Sequence, residues 1–302
     1  MHMTYFQSTR LRKITSSKLK VTLIIATVWL VAAGTAWFYI IYQSPENVFK
    51  GMLNNNFSTN GYTKDTTTEQ NGVQSRELAQ LQLASGPTVQ TLTSLSQGSD
   101  FVTTTTINKA DATYVRYDNI KTSRKNPNGK QYDFKHVIGV WAKSEAATAG
   151  SNQAVAQMML GLLPVAKLTP SDRSYMLDQV ERNNIFTPDY KTVKKQTKDG
   201  RLQYVYDVKV VPAPYIDMLK QFGKLAGLGD QVADLNPSDY KGQPATTISV
   251  TVDAKSRHLV SVGSPGQTTQ SETYTSFGIV KPVTLPTKNI TTDELQKRLN
   301  VQ

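Results

Sequence analysis

From Val21 to Tyr42 the chain reads VTLIIATVWLVAAGTAWFYIIY, a run without one charged side chain. About 20 apolar residues in a helix suffice to cross a hydrocarbon core ~30 Å thick. This stretch therefore predicts a transmembrane helix over residues 21–42, with a basic tail of residues 1–20 before it and residues 46–302 beyond it. Trp37, Tyr39 and Tyr42 cluster at the far end, where amphipathic rings prefer the interface, and Pro45 ends the helix. Arg10, Arg12, Lys13, Lys18 and Lys20 all precede the first acidic residue, Glu46. The positive-inside rule then puts the N-terminus in the cytoplasm and the C-terminal domain outside, as a single-pass protein of the cell membrane. A cleaved signal peptide is the competing reading, because Gly34-Thr35-Ala36 offers small residues after an apolar run. Against it, Trp37-Phe38-Tyr39-Ile40-Ile41 is bulky where a mature N-terminus turns polar.

The net charge is +11, from 34 Lys and Arg against 23 Asp and Glu, and removing the five tail cations leaves +6 for the remainder. No basic helix or stacked-aromatic motif accompanies that excess, so no nucleic-acid partner is expected. Cysteine is absent, which excludes disulfides, thiol nucleophiles and Cys-ligated zinc. A large extracellular domain without disulfides points to a bacterial cell envelope.

Beyond the apolar run, PENVFKGMLNNNF places Val48, Phe49, Met52 and Leu53 on one helical stripe. From Tyr62 to Trp141, Thr, Val, Tyr and Gln dominate, with turn signals at Asn71-Gly72, Ser85-Gly86-Pro87, Gln97-Gly98-Ser99, Lys109-Ala110-Asp111 and Asn126 to Gly129. That spacing predicts an antiparallel meander, and Thr113, Val115 and Tyr117 alternate with Tyr114, Arg116 and Asp118 as in a strand buried on one face. Helices are expected over Asn152 to Pro164, after an N-cap at Thr169, and over Pro214 to Ala226. RLQYVYDVKVV alternates strictly, with Leu202, Tyr204, Tyr206, Val208 and Val210 on one face. TTISVTVDAKSRHLVSVGS reads as a hairpin turning at Asp253 to Ser256, SETYTSFG adds a strand, and Thr292 caps a terminal helix. No linker divides residues 46–302, so the fold class expected is one α+β domain.

Motifs for catalysis are missing. The histidines are His2, His136 and His258, with no metal-ligand spacing, and neither a nucleophile elbow nor a phosphate loop occurs. The expectation is a protein that is not an enzyme and needs no metal or cofactor; a hydrolase with dispersed carboxylates ranks last. Met158, Met159, Leu162 and Leu163, with Leu160 between them and Gly161 and Pro164 as helix breakers, form the densest apolar patch. Such a patch is either core or the lining of a hydrophobic site, for which methionine is well suited. The tyrosines, 14 in all, include Tyr114, Tyr117, Tyr204, Tyr206 and Tyr215 and follow β-propensity.

The order of helix, meander, central helices, YVYDVKVVPAPYIDMLKQFG and then ISVTVDAKSRHLVSV resembles the LolA/LppX type of lipoprotein carrier, over Pro45 to Gly278. That resemblance implies a curved antiparallel sheet, a half-barrel, with helices packed on one face around an apolar cavity for acyl chains. The function it implies is a membrane-anchored domain holding a lipid or other hydrophobic ligand, with Met158, Met159, Leu162 and Leu163 lining the cavity. A structural or sensory subunit docking an envelope protein, with no ligand cavity, is the alternative. The topology has a direct check: protease added to intact protoplasts should leave a short anchored stub, and a mature N-terminus near Trp37 would contradict it.

Overall fold

The computed structural model describes residues 16–37, 41–84, 86–109, 111–126, 128–145, 150–263 and 270–300. Residues 1–15 of the predicted tail and 38–40 of the predicted span lie outside them, as do the turn positions Ser85, Ala110 and Pro127. Helix α1 covers Ser16–Trp37, beginning five residues before the uncharged run. Among the described residues no helix is long and apolar enough to cross a membrane. The described apolar side chains of α1 are exposed: Val28, Trp29, Leu30 and Val31 are each more than 60% exposed, and the Trp37 ring centre lies 6.0 Å from that of Tyr42.

Helix α2, Pro45–Asn56, starts where Ser44 Oγ accepts from the Asn47 N–H, and Pro45 occupies the first turn, where a missing N–H costs nothing. Val48, Phe49, Met52 and Leu53 are buried as their spacing predicts. The meander follows as β1 (Gly61–Gln70), β2 (Val73–Gln82), β3 (Thr88–Gln97), β4 (Asp100–Lys109), β5 (Ala112–Lys121) and β6 (Trp141–Glu145). Asn71 and Gly72 both have positive φ, 53° and 74°, the backbone that a tight two-residue hairpin turn requires. Next come α3 (Gly150–Met159), α4 (Pro170–Arg182), β7 (Phe186–Pro188), β8 (Lys194–Lys198), β9 (Arg201–Val210) and α5 (Pro212–Leu225). The chain closes with β10 (Thr246–Asp253), β11 (Leu259–Gly263), β12 (Gln270–Thr275), β13 (Ile290–Thr291) and α6 (Thr292–Asn300).

Among the described residues, all 13 strands belong to one open, curved sheet ordered β13-β6-β5-β4-β3-β2-β1-β12-β11-β10-β9-β7, with β8 also on β9. Every pairing is antiparallel except that of β13 with β6. By alternation, Tyr62, Leu81, Val89, Tyr206, Val250 and Val252 share a face, and the main core lies between that face and α2 to α5. Leu295 of α6 caps Val115, Tyr117 and Ala142 on the same face farther along. Across the sheet, Val283 and Leu285 pack on Ile107, Ala112, Tyr114 and Trp141. Strand β5 is thus partly covered on both faces, where its sequence predicts burial of one, because this extended C-terminal segment crosses the outer face.

Three details depart from the sequence reading. Helix α3 ends at Met159, so Leu162 and Leu163 belong to the turn that follows rather than to the helix. The cap of α6 is Thr291, whose Oγ1 accepts from the Glu294 N–H at 3.1 Å, one residue before the predicted Thr292. Strands β7 and β8 were not expected, the latter because KKQTK has no apolar alternation.

Three carbonyls at the entry to α2 are bound from the β9 and β10–β11 region. Arg257 Nη2 donates to Tyr42 O at 2.8 Å, with its guanidinium 3.6 Å from the Tyr42 ring centre. The hydroxyls of Tyr204 and Tyr206 donate to Gln43 O and Pro45 O, each at 2.8 Å. Buried hydroxyls satisfied this way avoid the desolvation cost that an unpaired group would carry.

Phe222 of α5 is fully buried and tilts against Phe57 with ring centres 5.6 Å apart. Phe222→Ala should lower stability by about 3–5 kcal/mol in a urea titration, the usual cost of emptying an aromatic core site. The transition should remain single, because one sheet joins both halves of the chain.

Candidate functional site

Among the recesses on the helical side, two carry apolar walls that bear on ligand binding. The first lies under the end of α3: about 230 Å³, walled by Met158, Gly161, Leu162 and Leu163 on one side and by Tyr62, Lys64, Val262, Glu272 and Tyr274 on the other. Three of the four residues singled out in the sequence therefore come together around it. Met159 does not; it is 2% exposed and packs into the core instead. The turn carrying the leucines is held through its backbone: Tyr62 Oη donates to Met158 O at 2.6 Å and Tyr215 Oη to Gly161 O at 3.3 Å. Leu162 is 46% exposed and Leu163 only 4%, so one guards the entrance and the other backs the wall.

The opposite wall is polar. Lys64 Nζ stands 3.8 Å from Glu272 Oε1, and Tyr274 Oη donates to Glu272 Oε2 at 2.9 Å. Burial, and secondarily the Glu272 carboxylate, push the Tyr62 and Tyr274 hydroxyls well above the usual tyrosine range. Both stay neutral donors at any physiological pH. An apolar wall facing an ion pair suits a small amphiphile, but the volume falls below the ~300–1,000 Å³ common for ligand sites.

The second recess, about 420 Å³, runs between α2, α4 and β7. Phe49, Leu53, Leu177, Val180 and Phe186 make its floor and Tyr190 one side. At the mouth, Lys50 Nζ bridges Glu46 of its own helix at 3.2 Å and Glu181 of α4 at 3.1 Å. These groups are more than half exposed, so the bridge adds little stability and readily opens. Sequence reasoning missed this groove because its lining comes from α2, α4 and the β7 region, residues far apart in sequence that no local pattern groups together.

No protein-family model and no curated protein matches the sequence. Among solved structures, the chain is similar to the crystal structure of LprF from Mycobacterium bovis, at 13% identity and a TM-score of 0.40, over 80% of this chain and 97% of that one.

The remaining candidates resolve into structure. His258 stacks on Phe277 at 4.9 Å, and burial lowers its pKa while Asp253 partly offsets the shift. His136 contacts Arg298 O at 2.8 Å. Among the described residues no three His, Asp or Glu side chains group as metal ligands.

Tyr190 offers a titration handle on the groove. Burial, and then Glu46, raise its pKa from 10.0 to about 12. Since the folded state holds the proton more tightly, this stabilisation is complete below pH 10 and disappears as the pH rises through about 12. Tyr190→Phe should therefore make the urea midpoint less sensitive to pH across that window.

Proposed function

We propose that residues 46–302 form a non-enzymatic extracytoplasmic domain, tethered to the cell membrane by residues 21–42, that holds a lipid or another hydrophobic ligand. The groove between α2 and α4 carries this reading: its volume of about 420 Å³ falls among ordinary ligand sites, its floor is apolar, and its first lining residue, Glu46, is the second residue of α2. Tethering is supported by the uncharged run and by Val28, Trp29, Leu30 and Val31 of α1, apolar side chains that are exposed rather than buried in the core. The recess bounded by Met158, Leu162 and Leu163 offers a second, smaller apolar wall.

One observation favours the alternative, a structural or sensory subunit that docks an envelope protein. The recess under α3 measures only about 230 Å³, and its sheet-side wall carries an ion pair. Such a space fits a core defect as well as a binding site.

Lipid extraction and mass spectrometry of the full chain purified from membranes separates the two. A co-purifying hydrophobic molecule is expected. Leu177→Asp should abolish it if the groove is the site and Leu162→Asp if the α3 recess is, because a carboxylate placed against an apolar ligand must be desolvated without a partner. Leu177→Met should retain it, since a volume-conserving change costs under about 1.5 kcal/mol. A wild-type protein free of any such molecule would give way to the interaction-subunit reading.

A further inference from the structure

The charge excess outside the tail is not spread evenly. Lys191 to Arg201 contains Lys191, Lys194, Lys195, Lys198 and Arg201 against Asp199 alone, a net of +4 within a total of +6 for all residues after the tail. The five cations are exposed: Lys194, Lys195 and Lys198 are on β8, Lys191 precedes it and Arg201 opens β9, and none makes an ion pair among the described residues. Lys255, exposed in the β10–β11 turn, adds a sixth.

The carbonyl clamp fixes where this cluster sits. Tyr206 and Tyr204 hold Pro45 and Gln43 in that order, so β9, followed from Tyr206 back to Leu202 and on to the Asp199-Gly200 turn, runs in the direction in which the chain returns to α1. Lys195 pairs with Tyr204 and its Nζ lies 5.7 Å from that ring. The β10–β11 turn ends at the same level: Ala254 N donates to Leu202 O at 2.9 Å, and Arg257 grips Tyr42. Both turns thus lie at the end of the sheet from which α1 departs.

Lysines on an edge strand also discourage pairing with foreign strands. That explanation does not reach Arg201, which is on β9, or Lys255, which is on a different hairpin.

From this placement the geometry points to a membrane-contact surface: the tips of the β8–β9 and β10–β11 hairpins lie against anionic phospholipid head groups of the leaflet that α1 enters. Each Lys or Arg near an anionic bilayer adds to an attraction that decays within a Debye length. The inference rests on the tethered reading of residues 21–42 and is independent of whether the grooves hold a ligand.

The absence of native cysteine allows single labels on the full chain. Gln196→Cys on β8 and Gln74→Cys at the opposite end of the sheet each carry a fluorophore in nanodiscs containing head-group-quencher lipid. The discs are phosphatidylcholine alone or phosphatidylcholine mixed with phosphatidylglycerol. Quenching at residue 196 is expected in the anionic discs, falling to the zwitterionic level in molar salt and in K194E/K198E, with none at residue 74. Equal quenching at residue 196 in both lipids, or quenching at both sites, would overturn the surface while leaving the tether intact. A chain that refuses to enter discs would overturn the tether and this surface together.

Discussion

The insertion of β12 between β11 and β1 is the pairing on which the architecture depends. Six consecutive residues of β1, Thr63 to Thr68, match Thr275 to Gln270 in antiparallel register, while β12 meets β11 at Ser261 and Thr273. Without that strand the N-terminal meander and the C-terminal β9–β10–β11 group would be two sheets, each with an open edge and an incompletely covered apolar face. With it, Tyr62 from one half and Tyr206, Val250 and Val252 from the other enter a single core. Edges left unpaired in the middle of a sheet would also invite foreign strands.

Much of this was legible because period and punctuation agreed. The strand RLQYVYDVKV buries Tyr204, Tyr206, Val208 and Val210, as strict alternation demands, and α2 buries its stripe. The turns fell where Asn-Gly and Gly-Ser signals put them. Strand β8 was illegible by alternation, since all five residues are exposed, yet Asp199-Gly200 with φ of 51° and 72° was the hairpin signal available. What no periodicity could supply is which strands far apart in sequence become neighbours. The order β1-β12 is set by shared burial, a property of the assembled sheet and not of either segment.

The candidate sites were legible to differing degrees for the same reason. Met158, Leu162 and Leu163 stand out as a dense apolar run, and three of the four named residues do border a recess. Met159, the last residue of α3, is buried in the core instead. The α2–α4 groove is assembled from Phe49, Leu177 and Phe186, residues that no local pattern groups together. The basic hairpin shows a third case: its composition was visible, but its meaning depends on a tyrosine hydroxyl elsewhere on β9.

The clamp at Tyr42, Gln43 and Pro45 also limits reach. A carrier that shuttles cargo needs slack, and a flexible linker extends roughly with the square root of its length. Here Tyr42, Gln43 and Pro45 are fastened to Arg257, Tyr204 and Tyr206 by hydrogen bonds, so these positions contribute no such slack. For a domain tethered by α1, cargo would pass only to partners that come within reach of the tether. Exchange would then be a matter of lateral encounter in the plane of the membrane, and its rate would follow the surface density of the partner rather than its concentration in solution.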